Sequence, residues 1–436
     1  MLYQNLLDER GGYDIEQLQV SLGEAVEAEP FERAWAAVAQ RYTILSTAFR
    51  WKGILEPEQD PQPDVGVPLE RLNWSSLLEE EQAKERERFL LADRRRGFEL
   101  DAAPLMRVTL ITLGHGRLEL CWTFHHIILD GRSFAPVLAE VFETYQALVG
   151  QHPMRGRRPE PRPYRDYIAW LSEQDRAPSH AFFEALLEGK RAPTPLPCAE
   201  PATRPLQASG HGETSLTLDR EVTVNLARLA RREGTTVGSV VQAAWGLVLS
   251  RLTGEDDVVF GVTRSCRRSA LGGAAEEMVG LFINSLPARV RIDEGATVAK
   301  LLEAVRAQSV ATREHVHTPL VEIKEHSDVT GATPLFETLL VFEHHELNRA
   351  LWALDAGFRR RPCVLHEQPA VPLTLIVIDD ETTEIRVSYD RRRFRPEVAT
   401  RIAWSLARAL ERLPQARLVA DVDVPPAALG DSRAHV

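Results

Sequence analysis

The chain has 436 residues, of which 44% are hydrophobic and 26% charged, a length and composition that predict a soluble globular protein of two or three domains. Its formal net charge of -11, from 52 Lys and Arg against 63 Asp and Glu, argues against nucleic acid as a partner. Acidic neighbours of the basic runs at 94–96, 155–165 and 391–393 indicate solvated surfaces or local ion pairs, with a basic patch for an anionic partner as the alternative.

The cysteines and the absence of apolar runs bear on location. The four cysteines are widely spaced and form no CxxC or Cys/His cluster, so neither a disulfide framework nor a metal site is expected. The chain contains no signal peptide pattern and no apolar run of membrane-spanning length. We therefore expect a cytoplasmic monomer that binds neither a membrane nor a metal ion.

A change of composition divides the chain. Residues 189–212 are rich in Pro, Gly, Ala and Thr and have no helical period, which is typical of a connecting segment. The sequence therefore predicts an N-terminal lobe over 1–175 and a C-terminal lobe over 176–436.

In the first lobe the apolar spacing of PFERAWAAVAQRYTIL predicts a helix. The segments 105–113 and 118–124 have strand patterns, and Gly114 to Gly116 between them predicts a hairpin turn. The second strand ends at His125 and His126. After Gly131, Ser133 is a candidate cap for a helix that ends before Gly150.

The second lobe also mixes strands and helices. The pattern predicts strands over 214–218, 258–262, 339–343, 373–378 and 384–389, and helices over 221–232, 237–252 and 396–413. The fold class predicted for both lobes is α/β (α+β), with a mixed sheet and flanking helices in each lobe.

The stretch FHHIILDGRS, residues 124–133, is the strongest candidate for a functional site. Adjacent side chains of a strand point to opposite faces, so His125 and His126 are unsuited to ligate one metal ion. A purely structural histidine is the competing interpretation, and the second histidine pair, His344 and His345, lacks an Asp-Gly at the same offset. The pattern therefore predicts one histidine at a cleft and one turned into the protein.

The order HHxxxDG resembles the signature of nonribosomal peptide synthetase condensation domains, which are related to chloramphenicol acetyltransferase-like enzymes. Further segments are similar to those of the family and follow in the same order: RYTILSTAF at 41–49, YRDYIAW at 164–170, VGLFINSLPAR at 279–289, HTPL at 317–320 and TPLFETLLVFE at 333–343. Together they span nearly the whole chain.

Three features depart from the family pattern. The chain begins at MLYQN, where the family usually has a further segment with an Ala-Gln pair, so we expect a shortened first strand or a trimmed chain. Arg132 replaces an aromatic or small residue after Asp-Gly, and SCRR at 265–268 replaces a Gly-Arg-Pro loop. These changes concern substrate choice more than reaction type.

The resemblance implies two chloramphenicol-acetyltransferase-like lobes that form a V with a central tunnel. A donor acyl group would arrive on the 4'-phosphopantetheine arm of a carrier protein, and a small-molecule amine or alcohol acceptor would enter from the other end. No cofactor is expected to bind the chain itself.

The resemblance also assigns roles to individual residues. A histidine titrates near pH ~6.5 and suits proton exchange with a nucleophile, so His126 is the candidate catalyst, either as base or by hydrogen bonding. Asp130 and Gly131 complete the catalytic set, and His125 and Arg267 support it, with Asp130 expected to pair with Arg267. The tunnel candidates are Arg132, Ser133, Asn284 and Ser285, although Asn284 could equally stabilise a bend and Ser133 a helix end.

The predicted function is amide formation from a carrier-bound acyl or peptidyl thioester in nonribosomal peptide or hybrid polyketide biosynthesis. Three alternatives stay open: ester formation with an alcohol, an acyl-CoA-dependent acyltransferase of the same superfamily, and a catalytically silent domain that recruits another enzyme. Intact His126, Asp130 and Gly131 argue against the silent domain, since a recruitment surface does not need them.

Overall fold

The structure is a computed structural model that describes residues 14–22, 25–54, 56–62, 64–150, 159–196, 210–343 and 361–424. The strands are β1 Ile15–Leu22, β2 Thr47–Arg50, β3 Glu58–Pro61, β4 Leu69–Asn73, β5 Met106–Gly114, β6 Arg117–His125, β7 His211–Thr217, β8 Asp257–Ser265, β9 Ile283–Arg291, β10 Thr338–Glu343, β11 Cys363–His366, β12 Leu373–Asp379 and β13 Thr383–Asp390. The helices are α1 Ala28–Arg41, α2 Glu79–Arg96, α3 Gly131–Leu148, α4 Arg165–Ser172, α5 Ala177–Leu187, α6 Arg220–Arg232, α7 Val237–Thr253, α8 Val298–Ala311, α9 Leu320–Glu325 and α10 Pro396–Arg412.

Every strand and helix that the sequence predicts in the described residues is present, with ends displaced by a few residues. The mixed α/β class is thereby confirmed. Most of the predicted connecting segment 189–212 and the pair His344 and His345 lie outside the described residues, as does Cys198.

The chain divides into two compact units. The described residues of unit 1 fall within Met1–Glu173, Ala270–Phe282 and Glu346–Ala370, and those of unit 2 within Gln174–Ser269, Ile283–His345 and Val371–Val436. The division after Glu173 lies close to the predicted lobe boundary at 175. Two later segments of the chain nevertheless belong to unit 1. A single boundary in the sequence therefore does not separate the two units.

Unit 1 is built on a mixed sheet with the strand order β11-β1-β6-β5-β4. β1 pairs antiparallel with both β11 and β6, β5 pairs antiparallel with β6, and β4 runs parallel to β5. The predicted hairpin is therefore confirmed, and it places the end of β6, with its histidine, beside the start of β1.

Aromatic side chains bind helices to one face of this sheet. Trp35 of α1 packs on Trp122 of β6 with ring centroids 5.1 Å apart, and Phe124 packs on Phe134 of α3 at the same distance. These rings are fully buried, and the two helices contact each other through Phe31 and Phe142. Burial of large aromatic rings fixes where α3 begins relative to the end of β6.

The opposite face of the same sheet packs on α2 through polar groups. Asp93 of α2 forms an ion pair of 2.5 Å with Arg107 and accepts hydrogen bonds from Gln17 at 2.8 Å and Thr123 at 2.6 Å. Each of these side chains is buried. Because buried polar groups need partners, this network specifies how α2 sits on the sheet.

Unit 2 contains a second mixed sheet with the strand order β7-β13-β12-β10-β8-β9. β10 runs parallel to β12 and β8, and the remaining neighbours are antiparallel. α7 is buried along its middle from Gly238 to Ser250, which explains its continuous apolar sequence. Gly246 lets this helix approach β9, since a Cβ there would lie 2.8 Å from Val290.

Candidate active site

The turn after β6 is fixed by its own backbone. The N–H of His126 donates to the carbonyl of Asp14 at 2.7 Å, and the N–H of Ile128 donates to the carbonyl of His125 at 3.2 Å. Asp14 precedes β1 and has a positive φ of 58°, a backbone conformation that residues other than glycine adopt uncommonly. The start of β1 is thus held against the histidine turn.

His125 is turned into unit 1. Its side chain is buried, and its Nδ1 accepts a hydrogen bond of 3.0 Å from the N–H of Ile127. Nδ1 therefore carries no proton in this arrangement. Burial lowers the pKa of His125 to about 3, so the ring is neutral near pH 7.

His126 has the opposite tautomer and a different environment. Its Nδ1 lies 2.5 Å from the carbonyl oxygen of Leu129. A carbonyl only accepts, so Nδ1 holds a proton and donates it. Nε2 lies 3.4 Å from Oε1 of Glu16, and the His126 side chain is 16% exposed. The turn thus carries a histidine with one nitrogen bonded to the backbone and the other beside a buried carboxylate.

Glu16 is the functional candidate that the sequence analysis missed. It lies on β1 opposite Phe124 and its side chain is only 3% exposed. β1 was not predicted, so nothing in the sequence analysis placed Glu16 beside the histidine motif. The alternation of polar and apolar residues over 17–22 was the available signal for the strand.

Asp130 holds a distant part of the chain to the histidine turn. Its Oδ2 accepts from the N–H of Phe282 at 3.0 Å, and its own N–H donates to the carbonyl of Gly280 at 3.2 Å. Asp130 is 1% exposed. Residues of the predicted segment 279–289 thus reach the motif, although the segment is divided between the two units after Phe282.

Ser133 adds to the same attachment, and the prediction that it caps α3 is wrong. Asp130 occupies the cap position, because α3 begins at Gly131. Oγ of Ser133 instead lies 3.1 Å from Oδ1 of Asp130 and 2.9 Å from the carbonyl of Gly280, and it accepts from the Gly280 N–H at 3.1 Å. The hydroxyl is fully buried.

The aromatic segment 164–170 also meets this region. The hydroxyl of Tyr164 donates to the carbonyl of Leu281 at 2.5 Å, and Tyr167 packs on Phe282 with ring centroids 4.6 Å apart. Gly280 has a φ of +152°, and a Cβ there would lie 2.2 Å from the Tyr164 ring. Only glycine fits this backbone beneath this ring.

Gly131 has no such requirement. It is the first residue of α3, its φ is not positive, and a Cβ on it would meet nothing within 4 Å. The backbone at this position therefore does not require glycine. The space around it is open, and its predicted place in the catalytic set stays a prediction.

Arg132 lies at the surface of unit 1. Its guanidinium forms an ion pair of 2.7 Å with Glu276, and its side chain is 60% exposed. Exposed pairs of this kind contribute little to stability. A role of Arg132 in the substrate tunnel stays a prediction.

Asn284 and Ser285 lie on β9 in unit 2. The side-chain amide of Asn284 donates to the carbonyls of Val316 at 3.0 Å and Thr318 at 2.6 Å, so both of its hydrogens are used by backbone. This contact supports the interpretation of Asn284 as a structural residue that holds the HTPL segment. Ser285 lies opposite Thr263 on β8, and its contact with substrate stays a prediction.

Arg267 is fully buried, with 1% exposure, and belongs to unit 2. Asp130 belongs to unit 1, and their pairing stays a prediction. In the described part of the chain no cluster of three or more His, Cys, Asp or Glu residues could hold a metal ion. None of the helices described there is long and apolar enough to cross a membrane.

Comparison with known proteins extends these observations. A family model described as Condensation domain matches residues 1–418. One of the linear gramicidin synthase proteins of Brevibacillus parabrevis is 34% identical over 422 residues, which are 96% of this chain and 5% of that protein. Chondramide synthase cmdD of Chondromyces crocatus is 35% identical over 385 residues, 87% of this chain and 10% of that protein. The chain thus spans a small part of the length of these curated relatives.

Solved structures share the fold. The X-domain from teicoplanin biosynthesis aligns with a TM-score of 0.79 at 23% identity, covering 97% of this chain and 96% of that one. The first condensation domain of the calcium-dependent antibiotic synthetase, in complex with a substrate analogue, aligns with a TM-score of 0.76 at 20% identity and 97% coverage of both chains.

The chain shares its mixed α/β fold with solved condensation domain structures. The family model and the curated relatives show that it belongs to the condensation domain family of nonribosomal peptide synthetases. Condensation domains form peptide bonds, so the predicted family and reaction class are confirmed.

Proposed function

We propose that this chain transfers an acyl or peptidyl group from the phosphopantetheine thioester of a carrier protein to the amine of an acceptor. The observation that carries the proposal is the fixed ring of His126. Its Nδ1 is committed to the carbonyl of Leu129, which leaves Nε2 as the nitrogen that exchanges a proton with the substrate.

The reaction joins the amine nitrogen to the thioester carbon and breaks the carbon–sulfur bond. Nε2 of His126 takes a proton from the attacking nitrogen. General-base assistance of this type contributes about 10² to 10⁴ in rate, or roughly 3 to 5 kcal/mol. Positioning of the two substrates contributes the rest.

The remaining residues act through the shape of the site in this proposal. Asp130 holds the histidine turn through the Phe282 N–H, and its predicted pairing with Arg267 would add a second attachment. The open space at Gly131 leaves room for a substrate beside the start of α3. Arg132 and Ser285 remain tunnel candidates by resemblance to the family. The side chains of Ser133 and Asn284, which the resemblance also places in the tunnel, bond instead to backbone groups.

The partners follow from the chemistry. The donor arrives on a carrier protein, and the acceptor is an amine, either free or on a second carrier protein. The phosphopantetheine arms belong to these carriers and not to this chain. We also propose a cytoplasmic location, as expected from the cysteine spacing, and a monomeric state.

The test is an acyl-transfer assay with defined donors and acceptors. Carrier proteins loaded with each of the twenty amino acids, and the matching acyl-CoA donors, are mixed with a panel of amines and alcohols and followed by intact mass spectrometry. We expect amide products from carrier-bound donors. Equal use of acyl-CoA would favour the acyl-CoA-dependent alternative, and products only with alcohols would favour ester formation.

A further inference from the structure

The carboxylate of Glu16 lies in a row of apolar side chains on β1. Alternate residues of a strand share a face, and Glu16 shares its face of β1 with Leu18, Val20 and Leu22, which are 0 to 2% exposed. Its partner across the sheet is Phe124. Burial of a carboxylate among such side chains is costly unless a positive or hydrogen-bonding group compensates it.

His126 provides a group that compensates this burial when its ring is protonated. Oε1 of Glu16 lies 3.4 Å from Nε2 of His126, while Nδ1 of the same ring donates to Leu129. In the neutral ring Nε2 therefore presents a lone pair, and a lone pair does not attract the negatively charged carboxylate. In the protonated ring the positive charge lies within ion-pair distance of the Glu16 carboxylate, which stabilises that charge electrostatically.

We propose that Glu16 is a positioning residue of the condensation reaction, whose carboxylate stabilises the protonated ring of His126 that forms when Nε2 accepts the proton of the acceptor amine. The inference rests on the function proposed above. It assigns a second, charge-stabilising role to β1, beyond the backbone contact between Asp14 and His126.

The proton balance is complete within this scheme. The amine nitrogen bonds to the thioester carbon and gives one proton to Nε2, which forms the ion pair with Glu16. The carbon–sulfur bond then breaks, and Nε2 passes the proton to the departing sulfur. The products are the amide and the free phosphopantetheine thiol, with Glu16 a carboxylate throughout.

Other ionisable groups of unit 1 surround this pair. His125 precedes His126 at the end of β6, and Asp130 follows the turn. Arg94 of α2 also interacts electrostatically with Glu16. Of these groups, Glu16 is the one in ion-pair distance of Nε2.

The variant Glu16→Gln removes the charge and keeps the size of the side chain. The matched control is Glu119→Gln, since Glu119 on β6 is also buried in this sheet but pairs with Arg86. We expect Glu16→Gln to lower kcat at least about tenfold with little change in KM, and to move the acid limb of the pH–rate profile to lower pH. The acid limb of the pH–rate profile of Glu119→Gln should stay at the wild-type pH.

A second measurement does not depend on turnover. In protein labelled with ¹⁵N-histidine, the Nε2 resonance of His126, assigned with His126→Gln, reports its protonation directly. We expect the pH of this transition to be lower in Glu16→Gln than in the wild type and in Glu119→Gln. Equal transition pH values in all three proteins would overturn the inference. A Glu16-dependent transition in a protein that forms no amide would instead retain the inference about Glu16 and reject the proposed function.

Discussion

The backbone N–H of Phe282 donates a 3.0 Å hydrogen bond to Oδ2 of Asp130. These residues are far apart in the sequence, yet both belong to unit 1. The bond attaches the segment before β9 to the turn that carries His126. The carboxylate of Asp130 thus accepts a hydrogen bond from a backbone N–H, in addition to any partner that it has among charged side chains.

Ser133→Ala tests the strength of this attachment. The substitution removes the buried hydroxyl that bonds the N–H and carbonyl of Gly280, and leaving buried groups without partners costs about 1 to 3 kcal/mol. We expect this loss in the free energy of unfolding measured with urea. Ser172→Ala, whose hydroxyl is exposed, should change it by less than about 0.5 kcal/mol. Equal effects of the two substitutions would contradict the buried attachment.

Gly280→Ala tests the packing of Tyr164 over the glycine backbone. A methyl group would lie 2.2 Å from the ring, at a φ of +152°, and overpacking with backbone strain should cost about 2 to 5 kcal/mol. Gly116→Ala is the control, because its φ is also positive but a Cβ there meets nothing within 4 Å. Thermal unfolding should rank Gly280→Ala well below Gly116→Ala, and the reverse order would refute the assigned packing.

Asn284→Asp should be more damaging than Asn284→Ala. Asn284 donates to the two carbonyls of Val316 and Thr318. An ionised aspartate has no hydrogen to donate and would face two acceptors. We expect a loss of about 1 to 2 kcal/mol for Ala and more for Asp at pH 7, measured by urea unfolding. Recovery of the Asp variant at pH 4, where protonation restores a donor, would support the geometry, and an Asp variant as stable as the wild type would exclude it.

The stability of the protein should fall as the pH falls below 6.5, in part because of His366. Burial, with contributions from Arg94 and Arg86, lowers the pKa of His366 to about 4, below the ordinary value of about 6.5 in an unfolded chain. The unfolded chain then takes up this proton first. The contribution of His366 is therefore complete above pH 6.5 and is lost as the pH falls towards 4, with a slope of at most about 1.4 kcal/mol per pH unit.

His366→Gln should reduce this slope between pH 4.5 and 6.5. Glutamine cannot take up the proton, while His125, whose pKa burial lowers to about 3, contributes in the same direction and remains. Denaturant unfolding at a series of pH values measures the difference. An unchanged slope in His366→Gln would show that His366 does not titrate as described.

Much of the fold was predictable because its elements have clear periods. α1 and α3 each present an apolar face, and β5 and β6 flank a glycine-rich turn, so local patterns suffice. β1 was not predicted, although residues 17–22 of its sequence, IEQLQVSL, alternate between polar and apolar side chains in the way that marks a strand. Gln17 on its polar face is buried in the network around Asp93.

The histidine motif was predictable, but its supporting contacts were not. The opposite environments of His125 and His126 follow from their adjacent positions at the end of a strand. The bonds from Asp130 and Ser133 to residues 280–282 join distant parts of the chain through backbone groups, which leave no mark in side-chain patterns. Glu16 reaches His126 only because β1 pairs with β6 in one register.

The most direct test of the proposed reaction is the initial rate of acyl transfer between two loaded carrier proteins, followed by intact mass spectrometry of the acceptor carrier. The wild-type chain should increase the mass of the acceptor carrier by that of the donor acyl group, and His126→Ala should reduce the initial rate by about 10² to 10⁴. Transfer by His126→Ala at the wild-type rate, or its absence in the wild type across the full panel of loaded carriers, would contradict the proposal.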